Sequence, residues 1–189
     1  MESFNKQNLD QLDFLNTNFK NDGKVKNNLS KELNESNFNK TDLVKDIAFE
    51  KVLILDTETT GLDENKEEVI EVGCILFHVA SRSVLSQVSF LLPVNKNDAS
   101  YINGISVEVS NISQPWEKAL DFFLSLVDSC DLIIAHNVEF DKKWFGKGRL
   151  PKLEKKWICS LEDINWSFQK SLKSRPSVTD LALSFSIPV

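Results

Sequence analysis

Residues 52–62 read VLILDTETTGL, an aliphatic run that breaks into two carboxylates, three hydroxyls and a glycine. Val52 to Leu55 suit a buried strand, yet Asp56 and Glu58 follow where further aliphatics would suit a core. Alternate residues of a strand share a face, so these two acids point the same way. Like charges held that close repel and raise each other's pKa unless positive charge sits between them. The simplest source of that charge is a divalent metal ion.

Outward from this strand, EEVIEVGCILFHVA (67–80) predicts a second strand and RSVLSQVSFLLP (82–93) a third, paired with it as a hairpin. In the third, Val84, Val88 and Phe90 are expected to face the core and Ser86, Gln87 and Ser89 to alternate with them. YINGI (101–105) holds an Asn103-Gly104 turn. Over 113–130, Trp116, Leu120, Phe123 and Val127 fall on one helical face, with Ser113 as the expected cap and Pro115 in the first turn. LIIAHN (132–137) reads as a short buried strand and VEFDKKWFGKG (138–148) as a helix ended by Gly146 or Gly148. KKWICS (155–160) predicts a last strand, LEDINWSF (161–168) a short helix, and SVTDLALSF (177–185) a helix opening at Ser177 or Thr179. Such an order makes a mixed α/β domain around one sheet. Ligands of these sheets bind beyond the carboxyl ends of the strands, where Asp56 and Glu58 fall.

The chain has 189 residues, enough for one domain with a full core. Residues 1–46 are rich in Asn, Lys, Ser and Asp without sustained period, which predicts a disordered polar extension ahead of a folded domain at 47–189. Cys74, Cys130 and Cys159 are odd in number and far apart, against a disulfide framework or a zinc site and in favour of a reducing, cytoplasmic setting. No secretory signal and no apolar run of the roughly 20 residues that cross a membrane is visible. The net charge of −6 hides an asymmetry: from Lys142 to Arg175 ten Lys and Arg stand against three acids, a local +7. That segment is either a phosphate-binding field or a solvated face of lysines.

Two further features sharpen the pair of acids. Thr59, Thr60, Gly61 and Leu62 supply hydroxyls, backbone N–H groups and, at Gly61, room for close approach of a ligand. AHNVEFD (135–141) places Asp141 one turn inside a helix that Asn137 can cap. DTETTGL and AHNVEFD resemble the first and second motifs of the histidine branch of the DEDD 3′–5′ exonucleases, which includes ribonuclease T and the epsilon proofreading subunit of bacterial DNA polymerase III. WICSLEDINW and SVTDLALSFSIPV (157–166 and 177–189) resemble bacterial members of that branch, so the likeness runs from Lys51 to Val189.

The resemblance implies a ribonuclease H-like mixed sheet flanked by helices and hydrolysis of terminal phosphodiester bonds at DNA or RNA 3′ ends by two Mg²⁺ or Mn²⁺ ions. It makes Asp56 the ligand bridging both ions, Glu58 a ligand of the first and Asp141 a contributor to the second. Such ions take hard oxygen ligands and stabilise the attacking and leaving oxygens of an in-line displacement. It assigns Thr60, Leu62, Asn137 and Phe140 to the 3′-terminal nucleotide, and His136 to the site lining. Ile105 resembles the apolar wedge against the terminal bases. For Thr60 and Ile105 the plain readings, a loop residue and a core residue, weigh equally. A polymerase or homodimer partner leaves no mark in the residues.

The family's third motif, His-x4-Asp, belongs after a segment like LALSFSIPV, and the sequence stops at Val189; the terminal helix that carries it is expected to be lacking. Losing a general base typically costs about 10²–10⁴ in rate. His78 reads as a structural histidine and Asp180 as a helix-start residue, so neither replaces the motif. The alternative function is a non-catalytic nucleic-acid-binding remnant.

Overall fold

A computed structural model describes residues 49–166 and 175–189. The expected extension at 1–46 and the end of the segment 161–168 therefore lie outside the described residues. Residues 49–161 form one compact unit, and the residues from Glu162 onward belong to another.

The first unit is built on five strands: β1 Lys51–Thr59, β2 Val69–His78, β3 Ser83–Leu91, β4 Leu132–Ala135 and β5 Lys156–Cys159. Their order is β3-β2-β1-β4-β5. The aliphatic opening stretch thus becomes the central strand, antiparallel to β2 and parallel to β4. Helices α1 Ser100–Asn103, α2 Val107–Ser110, α3 Trp116–Ser129 and α4 Val138–Lys142 join them. Leu53 and Leu55 of β1 are buried, with Val72, Cys74 and Leu76 of β2, against Phe123, Leu126 and Val127 of α3. Phe123 is fully buried and stacks on Phe145 with centroids 5.9 Å apart. Such a side chain contributes about 1.5–3 kcal/mol by burial, so Phe123→Ala would open the centre of the core.

The second to fifth strands are present with trimmed ends, β1 runs on past Leu55 to Thr59, and the helix expected over 138–148 ends at Lys142. One register detail differs from the sequence reading. Between Leu76 and Phe77 the β2–β3 ladder shifts, so Ser86 pairs with Leu76 but Val84 pairs with Phe77. One residue is thereby skipped, and Val84 leaves the face of Val88 and Phe90 to become 55% exposed. The start of α3 differs as well: Pro115 is its N-cap and no side chain caps it, so Ser113 is not the cap. The first N–H groups are met by the backbone instead: that of Trp116 donates to the Gln114 carbonyl and that of Lys118 to the Pro115 carbonyl. The Asn103-Gly104 turn is real, with Gly104 in the left-handed conformation (φ 71°) closing α1. Cys74, Cys130 and Cys159 are buried and free.

In the second unit, residues 162–166 are turn, bridge and irregular chain rather than the expected helix. Its helix, α5 Val178–Ser184, opens where the sequence indicated. The Ser177 hydroxyl accepts from the Asp180 N–H while the Asp180 carboxylate accepts from the Ser177 N–H, a complete capping box. Trp166 meets Phe185 edge-on, and Arg175 pairs with Glu162.

Candidate functional site

β1 outruns its parallel neighbour. Its pairing with β4 ends at Ile54–Ile134, while its antiparallel pairing with β2 continues past Glu58. The strand end carrying Asp56 and Glu58 is therefore free on one side, and the chain leaving β4 turns there into α4. Asn137 makes that turn with φ 62°, a left-handed conformation that asparagine tolerates better than most residues. Its side chain makes no capping bond, contrary to the sequence expectation; the twist of the turn, not the amide, is what it provides.

This turn delivers Asp141 to β1. Asp141 is 1% exposed, and its Oδ1 accepts both the Thr57 N–H at 2.9 Å and the Thr57 hydroxyl at 2.8 Å. Thr57 thus finds in a carboxylate the acceptor that a longer β4 would have offered. Burial pushes the Asp141 carboxyl up to about 7; the Thr57 hydroxyl opposes the rise and the charge of Asp56 adds to it. Asp56 and Glu58 lie together on the other face of β1, half-buried to exposed. Burial also raises both of them. Glu71 adds to the rise of Asp56 and His136 counteracts it, whereas Asp56 and then Glu71 add to that of Glu58. The three expected acids thus come to one strand end, and burial is foremost in raising the carboxyl of each.

Among the described residues no group of three or more His, Cys, Asp or Glu side chains is gathered as a preformed metal cage. The donor chemistry nevertheless suits Mg²⁺ or Mn²⁺. Mg²⁺ is commonly held by one or two carboxylates, keeping several waters and substrate oxygens, rather than by an all-protein cage. Asp56 and Glu58 offer such a pair.

The loop after β1 is tightly organised. Thr60 is buried; its N–H donates to the Glu68 carbonyl, and its hydroxyl donates to Glu67 Oε2 while accepting the Glu68 N–H. Lys96 holds the other Glu67 oxygen at 2.7 Å. The Thr59 hydroxyl donates to the Gly61 carbonyl. A Cβ on Gly61 would lie 2.9 Å from Glu67 Cγ, so the glycine lets that glutamate cross the loop. Leu62 stands 77% exposed. Asn103 donates to the Thr59 carbonyl at 3.1 Å, which brings α1, and Ile105 just beyond it, to the same strand end. His136 contacts the Ser160 hydroxyl through Nδ1 at 2.9 Å, and Phe140 packs edge-on against Trp144.

Several groups were not singled out from the sequence. Glu71 faces Glu58 directly across β1 and β2. Its signal was legible: in VIEVGC, Glu71 interrupts a buried strand two residues before a glycine. Lys143 lies over the rings of Phe140 and Trp144, donates to the Leu62 carbonyl at 2.7 Å and pairs with Glu64. Lys147 also meets Glu64, Arg149 meets Glu68, Lys152 meets Glu154, and Lys155 donates to the carbonyls of Asp128 and Cys130. Much of the basic segment is thus engaged with acids and carbonyls of the protein itself. The field suggested by composition is correspondingly weaker.

A family model described as exonuclease, RNase_T, matches residues 53–180. The PolC-type DNA polymerase III of Thermotoga petrophila is 29% identical over 147 residues, which is 75% of this chain and 9% of that protein. The DNA polymerase III epsilon subunit of Rickettsia felis is 36% identical over 100 residues, covering 50% of this chain and 42% of the subunit. The chain thus spans less than half the length of these relatives. Among solved structures, E. coli exonuclease I in complex with a dA16 oligonucleotide superposes with a TM-score of 0.54 at 15% identity, over 74% of this chain and 37% of that one. Apo exonuclease I gives a TM-score of 0.56 at the same identity. These structures share the fold, a five-stranded mixed sheet flanked by helices, as expected from the sequence. Among the described residues no helix is long and apolar enough to cross a membrane.

Proposed function

This chain belongs to the RNase_T exonuclease family, and we propose that it removes nucleotides from the 3′ end of a DNA or RNA strand by metal-assisted hydrolysis. The observation that supports this reading is that the charge of Asp56, at the free end of β1, acts on both Glu58 and Asp141, and that each of the three has its carboxyl pKa raised. Neighbouring acids whose ionisation is opposed by burial and by each other's charge suit a site completed by Mg²⁺ or Mn²⁺. Asp56 and Glu58 would hold one such ion, and Asp141, through the oxygen not bound to Thr57, would support a second beside Asp56. Bound there, the ions would supply charge stabilisation for the attacking and leaving oxygens.

The protein's own residues do the rest. Leu62 presents an apolar surface at the mouth, backed by the Thr60–Glu67–Lys96 network that fixes the loop beneath it. Phe140 lies near it, under the Lys143 ammonium that donates to the Leu62 carbonyl, and with Asn137 would contact the terminal nucleotide, while Ile105, just beyond α1, would give an apolar boundary for the terminal bases. Thr60 acts through its bonds within the loop, so its contribution is placement of Gly61 and Leu62. His136, held by Ser160, lines the site. As the relatives include polymerase subunits, a replication polymerase is the partner class we propose, in a cytoplasmic setting.

The test is degradation of a 5′-labelled single strand with Mn²⁺, the full chain beside Asp56→Ala. Shortening from the 3′ end by the former and not the latter supports the reading. Equal background rates, combined with salt-dependent retention of the oligonucleotide, would instead favour the binding remnant.

A further inference from the structure

The carboxylate least explained by the fold is Glu71. It pairs across the ladder with Glu58, and paired residues on adjacent antiparallel strands put their side chains on the same face. Like charges so placed destabilise a sheet, and an apolar or basic residue at 71 would relieve the repulsion. Glu71 is moreover fixed: the Ser89 hydroxyl of β3 donates to its Oε1. Ser89 is the partner of Gly73, and Gly73 is the partner of Asp56. The bond to Ser89 therefore leans Glu71 along the row that contains Asp56.

That row is kept open. A Cβ on Gly73 would have no heavy atom within 4 Å, so the space beside Asp56 is clear on this side. An open cleft of about 630 Å³ borders this row on the far side of Asp56 from Glu58 and Glu71, lined by Asp56, Gly73 and Ser89 with Ile54, Ile75 and Val88.

Resting on the metal-assisted reading above, we propose that Glu71 is a positioning residue for the ion held by Asp56 and Glu58, accepting hydrogen bonds from that ion's coordinated waters while Ser89 fixes its orientation. The Ser89 bond occupies Oε1 and leaves Oε2 to receive water. Partners of this outer kind typically change metal affinity by about 10–100-fold when removed.

The test is calorimetric titration of the full, metal-free chain with Mn²⁺, with thermal unfolding in chelator alongside. Glu71→Gln keeps the shape and an acceptor for Ser89 but lacks the charge. We expect its Mn²⁺ affinity to fall about 10–100-fold with no loss of metal-free melting temperature. Ser89→Ala, which leaves the carboxylate but frees it, should give a smaller loss in the same direction and keeps the inference testable if Glu71→Gln does not fold. Unchanged affinity in Glu71→Gln, or in Ser89→Ala where only that variant folds, while Asp56→Ala abolishes binding, would overturn the role of Glu71 and leave the site standing. Unchanged affinity in Asp56→Ala would instead overturn the underlying reading.

Discussion

Thr57 gives both of its donors, backbone and side chain, to a single oxygen of Asp141, a residue 84 positions away in the sequence. The bond ties the second motif to the first. It also explains how a buried acid is retained where the sheet is interrupted.

Replacing Thr57 by Val keeps the volume and the N–H but removes the hydroxyl donor. A buried acceptor that loses a partner typically costs about 1–3 kcal/mol. Thr57→Val should therefore lower the denaturation midpoint by a corresponding amount with an unchanged denaturant slope, measured by urea unfolding followed by fluorescence.

The Asp141 carboxyl, raised from an ordinary 3.8 to about 7 by burial, gives a signed pH dependence. Between those values the folded protein binds a proton that the unfolded chain has released, so stability falls as pH rises. Its contribution is full below about 4, declines through the window and levels off above about 7; the raised Asp56 and Glu58 act in the same direction. Asp141→Asn keeps an acceptor for Thr57 and has no proton to lose. In chelator, wild type should melt lower at pH 8 than at pH 5, and Asp141→Asn should flatten that difference. Parallel melting curves for the two proteins would contradict this.

Lys143 ties the loop after β1 to the segment that follows α4 through the Leu62 carbonyl and Glu64. Methionine fills similar space and stacks on Phe140 and Trp144 without donating. An exposed pair of this kind is worth up to about 1 kcal/mol, so Lys143→Met should leave global stability nearly unchanged. Amide exchange over residues 60–68 should nevertheless quicken, because that is where the bond acts.

Ser177→Ala removes the hydroxyl half of the capping box of α5. Loss of such a cap costs about 1 kcal/mol. Amide exchange in Val178–Ser184 should rise in the variant, while exchange in β1 stays as in wild type.

Much of this was legible in the amino-acid order. A strand is a local pattern, so VLILDTET announces both its burial and the shared face of Asp56 and Glu58. The capping box at Ser177 and Asp180 is equally local, set by residues three apart. Two cap expectations failed for a physical reason: backbone carbonyls of Gln114 and Pro115 take the first donors of α3 in place of Ser113, and Asn137 contributes its left-handed backbone rather than its amide.

The rest is non-local. That β1 extends beyond β4, that Asp141 fills the vacated place beside Thr57, and that Glu71 stands opposite Glu58 are consequences of strand register. Register is decided by the summed packing of both faces of the sheet. The same holds for the basic segment, whose charge is plain in the composition but whose partners, Glu64, Glu68 and the carbonyls after α3, are supplied by parts of the chain that only folding brings near. The sequence by itself determined which residues could do chemistry and on which strand face they stand. The tertiary structure decided which of them are buried, tied or left open, because desolvation and hydrogen bonding depend on neighbours distant in the chain.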